Sequence, residues 1–344
     1  MKALFIGGTG TISTEISKLA AKSGVELYLL NRGKSNARLK SLDAEISAVG
    51  GSPINYIQAD ISDKADVAEK LKAHNFDVVA NFIVFTPEQA RRDLELFSGI
   101  TKQYIFISSA SAYQKPLASY LITESTPLVN PYWAYSRDKI ACEEIFINAN
   151  RESGFPITIV RPSHTYDERS IPLAIHGDKG SWQVLKRIME DKPVIVHGDG
   201  SSLWTLTHSR DFAKAFCGLM GNIHAIGEAV HITSDESLTW NQIYHCLGNC
   251  VGKEPVIRHI SSDFLVKCNP ELEGGLLGDK SNSVVFDNTK IKRLVPDFTA
   301  TTRFDQGARE SVAYFTANKD MQIPDPEFDE WTEKVIKAYD SMAI

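Results

Sequence analysis

Tyr135 and Lys139 stand four residues apart in the run "YWAYSRDKIACEE". On a helix that spacing puts both side chains on one face. An ammonium beside a phenol favours the phenolate, so such a tyrosine can give or take a proton well below its free pKa of about 10. The lysine can also hydrogen-bond a ribose. A third group comes from "FISSASAY", where a serine at a strand end reaches the same cleft and holds a substrate oxygen. Ser109 is the choice. Ser108 and Ser111 compete with it, because a shift of one or two positions changes the face presented. The three suit proton transfer at a hydroxyl or carbonyl group.

The elements that must position these groups follow from periodicity. β-rich runs at 3–6, 26–30, 54–58, 77–81, 104–108 and 158–161 alternate with amphipathic stretches at 14–22, 37–49, 64–73, 87–98 and 135–150. That rhythm indicates βαβ units and a parallel sheet. Strands apolar almost throughout are expected where helices cover both faces. After Pro162 helical stretches dominate, at 182–191, 210–221, 239–251, 261–267 and 305–318, with short β runs at 194–196 and 229–233. The expected architecture is α/β: a Rossmann-type doubly wound parallel sheet with a smaller, mostly helical substrate lobe. Residues 1–165 form the dinucleotide-binding domain, segments within about 194–235 partly return to it, and 166–344 form the lobe. That lobe closes over the carboxyl ends of the strands, where open α/β sheets bind ligands.

"LFIGGTGTIS", residues 4–13, runs from the first strand into a helix. Glycine permits the tight turn and lets backbone N–H groups between Gly7 and Ile12, at the positive helix end, approach a pyrophosphate. Ser13 occupies the place of a third glycine, whose usual work is close helix–strand packing. It is expected to shift the helix slightly. No Lys-Ser/Thr pair follows, so the turn is not a P-loop. At the end of the second strand come Asn31 and Arg32 instead of an acid that would hold both ribose hydroxyls. A guanidinium without that acid favours NADP, with NAD as the alternative. "QADISD" puts Asp60 and Ile61 after the third strand, and "VVANFIV" brings Asn81, Phe82 and Ile83 to the end of the fourth.

Composition narrows the class. Of 344 residues, 43% are hydrophobic and 23% charged, which describes an ordinary soluble globular chain. The net charge is −6, without a basic block, which argues against nucleic acid. No apolar run approaches the roughly 20 residues of a membrane span. The five cysteines lack a CxxC pair. Cys246 and Cys250 beside His245 read as thiols on a helix, so no metal is expected. A reducing, cytoplasmic setting fits.

In order, G7-G8-T9-G10, Asp60, the serine-rich strand end, Y135-x-x-x-K139 and R161-P162 resemble the extended short-chain dehydrogenase/reductase family, which includes NAD(P)-dependent nucleotide-sugar epimerases and dehydratases. "ESTPLVNPYWAYSRDK" and "GDGSSLWTLTHSRDFAKAF" are similar to family segments as well. The resemblance covers most of the chain. It implies Tyr135 as acid/base, Lys139 as its electrostatic partner and ribose contact, Ser109 as the donor to a substrate oxygen, and Pro162 beside the nicotinamide carboxamide. The implied cofactor wall runs through Gly7, Thr9, Gly10, Thr11 and Ile12, then Asn31, Arg32, Asp60, Ile61, Phe82, Ile83 and Ser108, to Tyr135, Lys139 and Pro162. A homodimer through the tyrosine helix is implied too, with Ile140, Ile145 and Phe146 on its apolar face; core packing explains that face equally.

Two positions depart from the family pattern. His164 stands where nucleotide-sugar members often have asparagine, and Trp204 where they have an arginine clamp for the diphosphate. His164, Trp204 and His208 are the candidate substrate contacts, with packing between the lobes as the other reading. Lys179, Lys186 and Arg187 are further cations that could meet phosphate. The implied chemistry is hydride transfer at a secondary alcohol or ketone of a sugar or sugar nucleotide, as an epimerase or as a reductase. A ketone reductase on a non-nucleotide substrate is the alternative. Dehydration ranks last, because "SSASAY" has no acidic pair. A non-catalytic, cofactor-sensing or RNA-associated member of the fold is the alternative of another class.

Overall fold

The computed structural model describes residues 1–33 and 36–342. Seven strands form one sheet: β1 (Lys2–Ile6), β2 (Glu26–Asn31), β3 (Asn55–Gln58), β4 (Val78–Asn81), β5 (Tyr104–Ile107), β6 (Ile157–Pro162) and β7 (Ala229–Ile232). The spatial order is β3-β2-β1-β4-β5-β6-β7, and each neighbouring pair is parallel. Chain order reverses between β1 and β4, which opens a crevice at their carboxyl ends.

Period-two alternation sorts β1 between two cores. Ala3 and Phe5 face the layer holding α1 (Ser13–Lys22) and α2 (Asn36–Ala48). Leu4 and Ile6 face the layer of α3 (Lys64–Leu71), α4 (Pro87–Phe97) and α5 (Ala134–Ser153). Every residue of β4, β5 and β6 is buried, because helices cover both faces.

The second lobe has its own core, built on α6 (Trp182–Met189), α8 (Trp240–Val251) and the helix Phe304–Ala317, around Leu185, Trp240, Leu247 and Phe304. Helix α7 (Ser209–Leu219) belongs to the sheet instead: Phe212 and Phe216 join the α1 layer. Within about 194–235, Ser209–Leu219 and Ala229–Ile232 pack with the sheet. Val194–His197 pairs with Ile257–Ile260 inside the second lobe. A further helix, Pro326–Asp340, packs Val335 and Ile336 against Ile195 and Ile260. The sequence reading passed over it, although Phe328, Trp331, Val335, Ile336 and Tyr339 recur at helical spacing.

Candidate active site

The glycine turn begins where β1 ends. Gly7 has φ +80°, and a Cβ there would lie 2.7 Å from Ile83 Cγ2, so only glycine suits it. Ser13 does more than displace a helix. Its Oγ–H donates to Gly7 O at 2.7 Å, and it accepts from Gly10 N–H at 2.8 Å. The hydroxyl braces both ends of the turn, at about 0.5–1.5 kcal/mol per bond. Ile12 occupies the N-cap position of α1 and provides no side-chain cap. The helix thus begins without a side chain over its first amides, which suits an anionic group.

Beside the turn lies a cavity of 510 Å³. Gly7, Thr9, Asn31, Arg32, Asp60, Ile61 and Ile83 line it, joined by Phe85, Gln89 and Arg92, which sequence reasoning missed. Gly10, Thr11 and Ile12 lie outside that wall. Phe82 turns away: it meets Phe5 edge-on at 5.6 Å and packs beside Phe216. Successive extended residues point to opposite sides, so Ile83 takes the cavity and Phe82 the core. This corrects the assignment of Phe82's side chain to the cofactor. Asn31 Oδ1 accepts from Gly33 N–H at 3.0 Å, and Asp60 Oδ1 accepts from Ser62 N–H and Oγ–H at 3.0 and 2.7 Å. Arg32 is exposed at the rim. A positive-φ glycine, an uncapped helix start and a cavity of this size fit a dinucleotide.

Tyr135 and Lys139 project from the first turns of α5. Tyr135 and Ser109 line the same pocket, near enough for Ser109 to favour the ionised phenol, and Ser109 Oγ lies 2.9 Å from Ser111 Oγ. Ser108 faces the opposite way. It donates to Glu143 Oε1 at 2.5 Å, and Glu143 holds Arg161 through two bonds of 2.9 and 2.6 Å. Its side chain is therefore removed from the cofactor wall, because alternation past β5 buries residue 108 and presents residue 109. Lys139 is buried, donating to Val84 O at 2.5 Å and Ile107 O at 2.8 Å, with Nζ 5.7 Å from the Tyr135 ring centre. Burial lowers its pKa to about 8. Burial also raises the Tyr135 phenol; Ser109 opposes this, and Asp279 adds to it. The expected drop below the free tyrosine value is not seen, since desolvation outweighs the Ser109 contribution.

A second cavity, of 260 Å³, adjoins Ser109 and Tyr135 and is lined also by Pro162, His164 and Trp204. Trp204 Nε1–H donates to His164 Nδ1 at 3.2 Å, which leaves the ring proton on Nε2. Burial, aided by Lys280, lowers His164 to about 3, so it is neutral. His208 requires correction as a substrate contact. The register of two short parallel strands sets it opposite Tyr166, two residues beyond His164. It is buried edge-on against that ring at 5.0 Å and caps α7 by accepting from Arg210 N–H. Arg187 is spent on Asp329 and Glu333, at 2.7 and 2.6 Å, and Lys186 faces Glu190. Neither they nor Lys179 line the two cavities.

Trp133, Asp279 and Lys280 complete the pocket and were not anticipated. The signal available was "EGGLLGDK", a glycine pair ahead of a charged pair. A Cβ at Gly274 would lie 2.3 Å from Trp133 Cδ1, so glycine lets this turn close on the pocket.

Residues 3–99 and 94–232 match the NAD dependent epimerase/dehydratase family. The chain is 28% identical over 262 residues to the chloroplast stem-loop binding protein of 41 kDa b of Arabidopsis thaliana, covering 75% of this chain and 65% of that protein's length. It is 22% identical over 299 residues to the 2'-dehydrokanamycin reductase of Streptomyces kanamyceticus, covering 87% and 80%. The UDP-glucuronic acid 4-epimerase of Bacillus cereus, solved with UDP-glucuronic acid and NAD, has the same fold: the TM-score is 0.72 at 21% identity, over 92% of this chain and 99% of that one. With a family match that runs from β1 to the end of β7, the chain belongs to the NAD dependent epimerase/dehydratase family.

Proposed function

We propose that this chain is an NADP-dependent oxidoreductase acting by hydride transfer at a secondary alcohol or ketone of a sugar or sugar nucleotide. The observation that carries the reading is the Tyr135–Ser109 hydroxyl pair at the edge of the 260 Å³ pocket, with the Lys139 ammonium 5.7 Å from the same ring. Tyr135 exchanges the proton at the substrate oxygen, Ser109 orients that oxygen, and Lys139 supports the anionic phenolate. A bound nicotinamide dinucleotide supplies or accepts the hydride. Gly7, Thr9, Asn31, Arg32, Asp60 and Ile61 would hold it. Arg32 beside the uncharged Asn31 supports NADP over NAD by charge.

The same pair serves an epimerase, which returns the hydride to the other face, and a reductase, which exchanges its cofactor. The name of the kanamycin relative supports the reductase branch, and the Bacillus cereus structure supports the epimerase branch. The stem-loop binding relative gives the non-catalytic, RNA-associated reading its one observation; the intact Tyr135, Lys139 and Ser109 cluster favours catalysis. The reading includes a homodimer through α5. Phe146 lies in the chain's own core and Ile145 packs against it, which leaves mainly Ile140 for that contact. It also places the protein in a reducing, cytoplasmic setting, in keeping with its free thiols; among the described residues no helix is long and apolar enough to cross a membrane.

Identification of the cofactor that purifies with the protein, and of its redox state, tests the reading. Retained cofactor indicates an epimerase cycle, and turnover of added NADPH by a protein purified without cofactor indicates a reductase. Tighter binding of NAD than of NADP overturns the cofactor assignment. Undiminished turnover in Tyr135→Phe overturns the mechanism.

A further inference from the structure

Two charged side chains in the pocket take no part in the steps above. Asp279 and Lys280 come from one turn of π-helix, Leu276–Lys280, a local geometry frequent at functional sites. The turn is pinned. Lys280 O accepts from His197 Nε2–H at 2.9 Å, Trp240 Nε1–H at 3.1 Å and Ser202 Oγ–H at 3.4 Å. Gly278 O accepts from Asn130 Nδ2 at 2.7 Å, and the same amide donates to Ser111 O at 2.8 Å. Asn130 thus ties the turn to the loop that carries Ser109.

Asp279 lies between two cations. Lys115 Nζ is 4.0 Å from Oδ1, and Lys280 Nζ is 3.8 Å from Oδ2. Lys115 is buried and its Nζ makes no hydrogen bond. Neither distance is a hydrogen bond, so the ion pairs leave the carboxylate able to accept from a ligand. Lys280 Nζ stands 5.9 Å and 5.7 Å from the ring centres of Trp133 and Trp204. Among the described residues lining the pocket, only Asp279 and Lys280 carry charge, and they cancel; His164 is neutral.

A diphosphate calls for unopposed cations, ideally a bidentate guanidinium. This wall offers one ammonium that already faces a carboxylate. An uncharged ring with adjacent hydroxyls matches it better. One hydroxyl donates to Asp279, the next accepts from Lys280, and the C–H face of the ring lies on indole. Resting on the hydride-transfer reading, we propose that Asp279 and Lys280 are the specificity-determining residues. They grip neighbouring hydroxyls of an uncharged sugar against Trp133 and Trp204, so the substrate is a free or glycosidically linked sugar and not a nucleoside diphosphate sugar.

The test is a tryptophan-fluorescence titration of the full chain saturated with NADP. The probes are glucose, galactose, mannose, their methyl glycosides, UDP and UDP-glucose. At least one uncharged sugar should give a saturable change, and UDP none at equal concentration. Asp279→Asn and, independently, Lys280→Met should weaken the sugar response about tenfold, in line with loss of a charge-assisted hydrogen bond, while NADP binding stays unchanged. Tighter binding of UDP or UDP-glucose than of every uncharged sugar overturns the proposal. So does silence from all uncharged sugars at their highest soluble concentration, or an unaltered sugar response in both folded variants. The same titration on Tyr135→Phe separates the two claims. Retained sugar preference together with full turnover in that variant sinks the hydride-transfer reading and leaves the pocket assignment standing.

Discussion

The cavity beside the glycine turn takes its wall from four regions of chain (6–9, 30–33 with Leu39, 59–62 and 83–92), each at or beyond a strand end in the first four βα units. The pocket beyond Tyr135 takes its wall from six (109–111, 133–135, 162–164, 204, 279–280 and 284–286), drawn from both lobes. In the first cavity a local motif is enough, because the sheet delivers every strand end to one edge. In the second, no single stretch holds the site. Its indoles, its imidazole and its Asp279–Lys280 pair meet only after the second lobe has packed. On the proposed reading, the first takes a generic ligand, a phosphate on a helix start, and the second discriminates.

Breaking the junction between the cavities has the largest expected effect. Tyr135→Phe should lower kcat by about 10²–10⁴-fold, the usual contribution of a positioned acid/base, with NADP affinity unchanged in a fluorescence titration. A variant that lost cofactor binding as well would show that the tyrosine is part of the cofactor cavity's frame. Next, Gly7→Val forces a side chain into positive φ, at roughly 1–3 kcal/mol of strain, and into Ile83. NADPH affinity should fall about tenfold or more while the second lobe keeps its near-ultraviolet signal. Arg32→Glu probes the rim alone. NADP affinity should drop about tenfold, and the preference should move to NAD; equal loss of both cofactors would refute a 2′-phosphate contact.

A pH series sharpens the same junction. Lys139 is lowered from 10.5 to about 8 by burial. Turnover should therefore decline as pH rises above about 8 and the ammonium is lost. Stability moves the other way. Between about 8 and 10.5 the unfolded chain binds the proton that the folded chain has released, so this group's contribution to unfolding free energy rises with pH. Lys139→Met should remove both trends. The smallest effect belongs to Ser13→Ala, which removes two turn hydrogen bonds worth about 0.5–1.5 kcal/mol each. Differential scanning calorimetry should show Tm lowered by a few degrees; an unchanged Tm would mean that the bracing is redundant.

The strands and the first five helices were legible because period two and period 3.6 are local properties of the chain. So were the glycine turn and the Tyr135–Lys139 pair, whose spacing is itself the geometry. The choice among Ser108, Ser109 and Ser111 was not, because it depends on where β5 stops pleating and the next turn begins. His208 looked like a cleft residue until the register of two three-residue strands turned it under the helix Phe304–Ala317. Ser13 looked like a lost glycine; its hydroxyl bonds close a seven-residue turn that sequence cannot draw.

The sequence by itself determined a parallel α/β sheet, a glycine turn at its crevice, an arginine in place of an acid after the second strand, and a tyrosine, lysine and serine within reach of one another. Only the tertiary structure decided which serine faces the tyrosine, how burial sets Lys139 and Tyr135 against their free titration ranges, and that Asp279 and Lys280 enter the pocket. The physical reason is range. Periodicity and turn chemistry act over a few residues, whereas desolvation, strand register and the closing of one lobe on another are set by groups from a few tens to well over a hundred positions apart.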